Sequence, residues 1–360
     1  MAFFRSLQFP RTGVITTKPR SDSFTPSSIL EFSTSKRVNV IIVLEPRSGS
    51  SFLGQIFNQH PNVFYLFEPL RAVTVVTNED LYLNLPSENY HRLALKLLFE
   101  ILNCRFRSSV YLDHFNSFLR SSSKALSSFP LCHQGEATHA LTARKNCAPF
   151  IGTTMEEVCK FQYSFSVVKI LLHRVPNQSI ASLLSMCANT KPEPCKVIHL
   201  VRDPRALILF QMKLNFMRRS TLKNGKLQTQ DILKHTQRIC NRIHHNLLEI
   251  KNLSADLRHL YKVLRYEDLV LDLENTTSNL FKFAKIPVKM EISDLIKINT
   301  KASSVPYPRK PFSPYSTHRN ASTLVDNWKR ELSGNDKHFI ERYCMSVMKI
   351  LGYLPSKEIP

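Results

Sequence analysis

The sequence predicts an α/β fold in which a central parallel sheet is flanked by helices. Five short apolar runs are mostly continuous, which is typical of strands buried on both faces of a parallel sheet. Runs with helical periodicity lie between and after them. With 360 residues, of which 43% are hydrophobic, the chain can bury a full core, most simply as one large domain or as a domain with insertions.

The predicted elements alternate along the chain. The strands are residues 38–44, 62–67, 165–172, 196–201 and 261–264. The clearest helices are residues 90–102, 176–186, 230–253 and 335–351. Because strands and helices alternate, the sheet is expected to be parallel.

The domain boundaries follow from composition. Residues 11–36 are rich in Ser, Thr and Pro and show little apolar periodicity, so residues 1–36 are predicted to be a disordered lead-in. A single domain is predicted over residues 37–355, with a helical insertion at residues 79–164. Residues 303–314 contain four prolines and are predicted to form an extended loop.

The chain is strongly basic. It contains 49 Lys and Arg residues against 28 Asp and Glu residues, a formal net charge of +21. This charge favours a polyanionic partner, whether nucleic acid, an anionic membrane face, a nucleotide or an acidic glycan, and does not choose among them. No stretch approaches the roughly 18 to 20 apolar residues that span a bilayer, so no membrane anchor is visible.

The cysteines and histidines do not indicate a metal site. Eight cysteines are scattered without a C-x-x-C pair, which argues against zinc. Metal-ligand spacing is also lacking around His60, His139, His244 and His245.

Two features bear on the cellular compartment. The spacing of Cys187 and Cys195 suits a disulfide that closes a short loop, but buried free thiols fit the spacing equally well. Four N-x-[ST] sequons slightly favour a secretory compartment, at Asn177, Asn252, Asn275 and Asn320.

A turn suited to an anion follows the first strand. The strand ends at Leu44, the turn EPRSGSS follows, and a helix is predicted from about Ser50. N–H groups at a helix N-terminus bind anions, Gly49 lets the backbone approach the ligand, and Arg47 supplies a positive charge. A serine N-cap on an ordinary strand–helix turn is the alternative. The candidate ligand-binding residues are Glu45, Pro46, Arg47, Ser48, Gly49, Ser50, Ser51 and Phe52.

The fourth strand ends in a similar way. In KVIHLVRDPRA, Arg202 and Arg205 follow the strand, and Pro204 suits the first turn of a helix. Ligands of open parallel sheets bind at the carboxyl ends of strands, so Arg202 and Arg47 are expected to face one anionic ligand. A surface pair of Arg with Asp is the alternative. The candidate ligand-binding residues here are Arg202, Asp203, Pro204 and Arg205.

Five blocks of the sequence occur in an informative order. They are RSGSSF (47–52), FNQHPNVFYLFEPL (57–70), KVIHLVRDPRA (196–206), LRYEDL (264–269) and THRNASTLVDNWKREL (317–332). The chain thereby resembles the Golgi carbohydrate 6-O-sulfotransferases, which sulfate C6 of galactose, N-acetylglucosamine or N-acetylgalactosamine. RSGSSF is similar to that family's 5′-phosphosulfate loop and KVIHLVRDPRA to its 3′-phosphate motif.

The resemblance implies a P-loop-NTPase-like sulfotransferase fold and transfer of a sulfuryl group from 3′-phosphoadenosine 5′-phosphosulfate (PAPS) to a sugar hydroxyl. It implies that Arg47 stabilises the bridging oxygen and the 5′-phosphate, that Arg202 holds the 3′-phosphate, and that Arg319 adds a contact. Glu68, in YLFEP, is the predicted base for the C6 hydroxyl. A carboxylate paired with Arg71 or a neighbouring arginine is the alternative.

Three further residues bear on the predicted nucleotide site. Tyr266 would stack on adenine or bind a phosphate, or else be a buried tyrosine at a strand end. Trp328 would flank the nucleotide or be core, and core is favoured. Phe210 stands where the family has a serine whose hydroxyl helps to bind the 3′-phosphate. The hypothesis is weakened PAPS binding, which Phe210→Ser would restore; packing of Phe210 into the core is the alternative.

The partner, compartment and function class follow from the resemblance and the charge. The predicted acceptor is an acidic glycan, nucleic acid is not a predicted partner, and the implied compartment is the Golgi lumen. A catalytically weakened relative that binds glycans and a P-loop kinase of a small molecule are the alternative functions. Residues 204–230 lack acidic side chains and would suit an acidic glycan, or form an ordinary solvated face, through Arg205, Lys213, Arg218, Arg219, Lys223 and Lys226.

Overall fold

The computed structural model describes residues 37–81, 85–132, 147–191, 193–214, 229–301 and 325–356. The predicted lead-in at 1–36, the proline-rich segment at 303–314 and the candidate Arg319 lie outside the described residues. The same holds for four of the basic residues between 204 and 230: Arg218, Arg219, Lys223 and Lys226.

Five parallel strands form one sheet, in the order β2-β3-β1-β4-β5, which confirms the predicted α/β fold. β1 lies at the centre, where Val40 pairs with Val167 on one side and with Lys196 on the other. All seven residues of β1 are buried, which explains its continuous apolar run. The strands are β1 Val38–Leu44, β2 Val63–Phe67, β3 Phe165–Leu171, β4 Lys196–Val201 and β5 Tyr261–Arg265.

Helices flank the sheet and connect its strands. In the described residues they are α1 Ser50–Asn58, α2 Arg71–Thr77, α3 Glu88–Leu102, α4 Ser109–His114, α5 Gly152–Glu157, α6 Ile180–Ala188, α7 Pro204–Lys213, α8 Thr229–Lys251, α9 Ala255–Arg258, α10 Tyr266–Leu271, α11 Leu273–Ala284, α12 Met290–Lys301, α13 Asn327–Glu331 and α14 Gly334–Leu351. None of these helices is both long enough and apolar enough to cross a bilayer.

One predicted helix begins later than expected. The sequence predicts a helix over residues 176–186, but Pro176–Gln178 form a separate 3-10 turn in which Asn177 is left-handed, with φ 55°. The helix α6 then starts at Ile180, because the Ser179 side chain accepts a hydrogen bond from the backbone N–H of Ser182 and caps it.

Alternate residues of β1 contribute to two different cores. Ile41 and Val43 pack on the face covered by α3 and by other helical segments between β2 and β3. Val40, Ile42 and Leu44 pack on the opposite face, against α1 and α11. A third cluster joins α7, α8 and α14. The part of residues 79–164 that the structure describes contains helices and turns but no strand.

All eight cysteines are paired, so the structure contains no free thiol. The disulfide form of the Cys187–Cys195 pair is therefore the one observed. Cys104–Cys159 connects the chain after α3 to the segment before β3, and Cys240–Cys344 connects α8 to α14. The fourth pair is Cys132–Cys147.

Candidate active site

A tight turn connects the carboxyl end of β1 to the N-terminus of α1. The turn is closed by the backbone N–H and the hydroxyl of Ser48, which both donate to the carbonyl oxygen of Glu45, at 3.3 and 2.7 Å. Arg47 and Gly49 both have positive φ, 73° and 90°. The first turn of α1 contains no acidic residue, and the first N–H groups of a helix lack intrahelical acceptors. The turn is therefore chemically suited to an anion.

Gly49 is required by a close contact as well as by its backbone conformation. A Cβ at this position would lie 2.1 Å from Cδ2 of Tyr266, whose ring is buried against the turn. Tyr266 follows β5 directly, so the loop after β1 and the start of α10 meet at one edge of the sheet. The turn can therefore approach the ring only because residue 49 has no side chain.

Arg202, just after β4, contacts this turn. Its Nη1 donates to the carbonyl oxygen of Arg47 at 3.1 Å. Its guanidinium carbon lies near two rings, 4.6 Å from the ring centroid of Phe210 and 4.5 Å from that of Tyr266. Burial lowers the pKa of Arg202, and nearby groups including Tyr266 and Glu267 oppose that effect. The structure thus brings Arg202 and the predicted anion-binding turn together.

Arg205 is used differently from what the sequence predicts. Its Nε and Nη2 donate to the carboxylate of Asp203, and its Nη1 donates to Glu341 at 2.6 Å. The guanidinium also lies 3.8 Å from the ring centroid of Trp328, which is buried as expected. A buried ion-pair network thus occupies the charges of Asp203 and Arg205, and their part in ligand binding stays a prediction.

Glu45 and Pro46, at the start of the turn, are anchored by residues of α7 and α8. The carboxylate of Glu45 accepts from Nε and Nη2 of Arg242, at 2.6 and 2.8 Å, and both residues are buried. The Pro46 carbonyl oxygen accepts from Nε2 of Gln211 at 2.7 Å, and Oε1 of Gln211 is 2.6 Å from Nε2 of His235. The sequence alone did not indicate Arg242, Gln211 or His235, because no local pattern links α7 and α8 to a turn that lies 165 to 197 residues earlier.

Glu68, after β2, is held between two cations. Its carboxylate accepts from Nζ of Lys169 at 2.6 Å and from Nη1 of Arg174 at 2.7 Å. Burial raises the pKa of Glu68, but the two cations and their hydrogen bonds outweigh burial and lower it below its usual value. Glu68 is therefore an ionised carboxylate with two partners, neither of which is Arg71. The Arg71 guanidinium instead lies 3.9 Å from the ring centroid of Phe118.

Lys169 connects the Glu68 side of the site to the turn. Burial lowers the pKa of its fully buried ammonium, Glu68 opposes this, and Arg47 is near enough to lower it further. Lys169 is the single charge inside the apolar run FSVVKILL, and this could have marked it as functional from the sequence. The sheet order then explains its position, because β3 lies between β1 and β2.

An open cavity of about 540 Å³ adjoins this cluster. Its wall includes Arg174 and His173, which follow β3, and residues of α2 and the chain after it. His173 also lines a small space beside Glu45 and Pro46, so it lies between the cavity and the turn. Burial lowers the pKa of His173 well below its usual value, and Arg174 and Arg242 add to this, so its imidazole is neutral near pH 7.

The remaining predicted residues lie in or near the turn, except Arg319, which is outside the described residues. Ser50 is buried at the start of α1, Ser51 is half-buried, and half-buried Phe52 packs against the core that contains Tyr266. Pro204 occupies the first turn of α7, as predicted. The residues that the structure describes contain no cluster of three or more His, Cys, Asp or Glu side chains able to hold a metal ion.

Comparison with known proteins gives a consistent answer. Residues 37–352 match the sulfotransferase domain family. Carbohydrate sulfotransferase 1 of Mus musculus is 27% identical over 345 residues, which cover 89% of this chain and 80% of the relative. Carbohydrate sulfotransferase 3 of Homo sapiens is 28% identical over 339 residues, covering 88% and 67%. Carbohydrate sulfotransferase 5 of Homo sapiens is 28% identical over 339 residues, covering 89% and 78%.

Two solved structures that match most of this chain have lower sequence identity to it. The sulfotransferase domain from the curacin biosynthetic pathway is 16% identical, with a TM-score of 0.46, and the match covers 89% of this chain and 99% of that one. Mouse sulfotransferase SULT7A1, complexed with PAP, is 11% identical, with a TM-score of 0.43 and coverage of 87% and 85%. Because the family match spans most of the sequence, the chain belongs to the sulfotransferase family of enzymes, as a distant, near-full-length homologue of the carbohydrate sulfotransferases.

Proposed function

We propose that this enzyme transfers a sulfuryl group from PAPS to the C6 hydroxyl of galactose or an N-acetylhexosamine in a glycan or glycosaminoglycan. The observation that carries the proposal is the contact of Arg202 with the turn that contains Arg47. Arginines that follow two neighbouring strands, β1 and β4, thus meet beside the N-terminus of α1, which suits a nucleotide with separate 5′ and 3′ anionic groups.

The proposed reaction is an in-line displacement at sulfur. The acceptor hydroxyl oxygen forms a bond to sulfur, the bond from sulfur to the bridging oxygen breaks, and PAP (3′-phosphoadenosine 5′-phosphate) leaves with the electron pair. Arg47 and the N–H groups of α1 stabilise the charge on the bridging oxygen and the 5′-phosphate. Arg202 binds the 3′-phosphate. Arg319, outside the described residues, remains a proposed second contact.

The proton of the acceptor hydroxyl needs a base, and Glu68 is the proposed one. Its carboxylate is ionised and pairs with Arg174, which lines the cavity. The two cations that lower its pKa make it a weaker base, but they also fix its position. Neutral His173, on the wall of the same cavity, is the second candidate base because an uncharged imidazole can accept a proton.

The proposed acceptor is an acidic glycan, and its support is the net charge of +21 and the resemblance to the carbohydrate 6-O-sulfotransferases. The two described cations of residues 204–230 add little to this. Arg205 is buried in its network, and Lys213 pairs with Glu331 at 2.6 Å. The cavity itself has both signs of charge, since Arg71 and Arg174 line it together with Glu79 and Asp80.

The proposed compartment is the Golgi lumen. Four disulfides favour an oxidising compartment, and three sequon asparagines in the described residues are exposed, namely Asn177, Asn252 and Asn275. Expression of the native transcript followed by glycosidase digestion tests this: a drop in apparent mass on digestion and co-staining with Golgi markers are expected. An unglycosylated protein in the cytosol would refute it.

Activity is tested with labelled PAPS and a panel of desulfated keratan and chondroitin acceptors. We expect label at C6 of the acceptor sugar with the wild type and none with Arg47→Ala as the matched control. Glycan binding without transfer would instead favour the weakened relative. Transfer of a labelled phosphoryl group from ATP would favour the kinase.

A further inference from the structure

Phe210 makes a contact that neither of the two sequence-based alternatives describes. The sequence suggests that its ring either takes the place of a useful hydroxyl or packs into the core. In the structure the ring is half-buried on α7, and its centroid lies 4.6 Å from the guanidinium carbon of Arg202. The ring therefore contacts the cation that would bind the 3′-phosphate.

A second ring also contacts Arg202. The ring of Tyr266 lies 4.5 Å from the guanidinium carbon and packs against the turn at Gly49. Gly49, Tyr266, Arg202 and Phe210 are thus linked by successive contacts that start at the anion-binding turn. Each ring face attracts a cation, and this attraction is stronger where water is excluded, as it is around buried Arg202.

This packing controls the direction of the Arg202 donors. A guanidinium is planar and its N–H groups all point outwards in that plane, so rings near it restrict the rotation of the plane. One nitrogen, Nη1, already donates to the carbonyl oxygen of Arg47. An arginine held in this way presents its donors to a phosphate without losing side-chain entropy on binding.

We propose that Phe210 is a positioning residue of the donor site, which holds Arg202 ready for the 3′-phosphate. The inference rests on the proposed function, in which Arg202 contacts that phosphate. It reverses the expectation drawn from the sequence: replacing Phe210 with serine weakens the binding of PAP instead of strengthening it.

The test compares two nucleotides that differ by one phosphate. Calorimetric titration of the full chain gives the Kd of PAP and the Kd of adenosine 5′-monophosphate, and their ratio isolates the contribution of the 3′-phosphate. For Phe210→Ser we expect PAP binding about 10-fold weaker, the effect of losing one desolvated ring–cation contact, and little change for adenosine 5′-monophosphate. Phe210→Leu, which keeps apolar bulk without a ring, should behave like the serine variant.

Two controls separate positioning from a general loss of structure. Phe210→Tyr keeps the ring and should keep the ratio of the two Kd values near that of the wild type. In an Arg202→Met background, Phe210→Ser should cause no further change in that ratio. Thermal melting of each variant shows whether it is folded.

Three outcomes would overturn the inference. The first is a Phe210→Ser variant that binds PAP as well as or better than the wild type, which restores the missing-hydroxyl explanation. The second is an equal loss of affinity for both nucleotides, which indicates a disturbed turn. The third is a wild type that binds PAP no more tightly than adenosine 5′-monophosphate; this result removes the proposed function itself, and so differs from the first two.

Discussion

Arg47 and Glu68 both have a positive φ, a backbone conformation that residues other than glycine rarely adopt. Their φ angles are 73° and 51°, and each residue lies close to the carboxyl end of a strand, β1 or β2. A left-handed conformation costs a residue with a side chain roughly 1 to 2 kcal/mol, and such strain persists where the surrounding structure fixes it. Strained backbone at the ends of two strands of one sheet, β1 and β2, both with charged side chains, is typical of a functional site.

Replacing Arg47 with alanine should remove turnover while leaving the fold intact. The change deletes a charge aimed at the transition state, and we expect kcat to fall by about 10² to 10³, or about 2.5 to 4 kcal/mol in barrier, as for loss of one oxyanion donor. Sulfuryl transfer from PAPS measures this, and Arg47→Lys, which retains a charge, is the matched comparison. Activity of the alanine variant within a few-fold of wild type would exclude the role.

Replacing Glu68 with glutamine should lower kcat and spare the affinity for PAP, because the base acts on the acceptor and not on the nucleotide. A positioned base contributes about 10² to 10⁴ in rate. A parallel loss of PAP affinity, measured by calorimetry, would make Glu68 a structural partner of the turn. Full activity of Glu68→Gln together with an inactive His173→Gln would move the base to the imidazole.

The same substitution has a predictable dependence on pH. Since the folded-state pKa of Glu68 is lowered, its ionised form stabilises the fold above the unfolded pKa of about 4.3 and loses this effect as pH falls through the folded value. The difference in free energy of unfolding between wild type and Glu68→Gln should therefore be largest near neutral pH and shrink below about pH 4. Urea titrations over this range measure it.

At the residue scale, the sequence shows which charged residues follow strands better than it shows what they contact. Arg47, Glu68 and Arg202 are readable as charged residues at strand ends. Arg205 looks equivalent to Arg202 in the motif, yet it pairs with Glu341, which is 136 residues away. A pairing at such a distance depends on the packing of α7 against α14, which local sequence does not encode.

At the scale of elements, the long helix α8 supports the anion-binding turn. Arg242 binds both carboxylate oxygens of Glu45, and His235 holds Gln211, which in turn donates to the Pro46 carbonyl oxygen. Two turns of one helix thus fix consecutive residues of the turn. Cys240, between them in sequence, is joined to Cys344 of α14, so the support is itself cross-linked.

Removing Arg242 should destabilise the fold more than removing the whole ion pair. Arg242→Met leaves the carboxylate of Glu45 buried without its charge partner, which costs about 3 to 5 kcal/mol in free energy of unfolding. Adding Glu45→Leu removes that carboxylate and should recover much of the loss. Urea unfolding of both single variants and of the double variant tests this. A double variant as unstable as the sum of the single changes would contradict it.

The strands and long helices were predictable because their cause is local. β1 and β4 are continuous apolar runs, and α8 and α14 have a clear helical period. The start of α6 was predicted wrongly, because Pro176 suits a first helical turn but the left-handed Asn177 ends the 3-10 turn that it begins. The order of the strands, which puts Lys169 beside Glu68, could be determined only from the structure.

At the scale of the whole molecule, two of the four disulfides connect regions that are distant in sequence, Cys104–Cys159 and Cys240–Cys344. The largest closed loop, from Cys240 to Cys344, has a sequence separation of 104 residues, and a loop of about 100 residues corresponds to about 4.7 kcal/mol in the chain-entropy account. The sequence contains eight cysteines, and their spacing suggests one disulfide, the short loop from Cys187 to Cys195. Their complete pairing depends on which helices pack together, and it supports the proposed secretory location.

The whole molecule should lose stability as the pH falls below about 6.5, the ordinary pKa of histidine, because buried histidines cannot take up protons in the folded state. His199, on β4, is buried, and burial lowers its pKa to about 3. His235, with a pKa lowered by burial to about 4, and His173 contribute in the same direction. Below that pH the unfolded chain binds protons that the folded chain does not, so acid favours unfolding.

His199→Gln isolates one of these contributions. The variant should show a smaller slope of unfolding free energy against pH, by up to about 1.4 kcal/mol per pH unit below about pH 6, whatever its absolute stability. The slope is the informative quantity, because glutamine also disturbs the contact of His199 Nδ1 with the Tyr261 hydroxyl, at 2.9 Å, and so lowers stability at every pH. Urea unfolding at several pH values between about 7 and 5 measures both quantities. An unchanged slope would mean that His199 is protonated in the folded state over this range, and that burial does not control its titration.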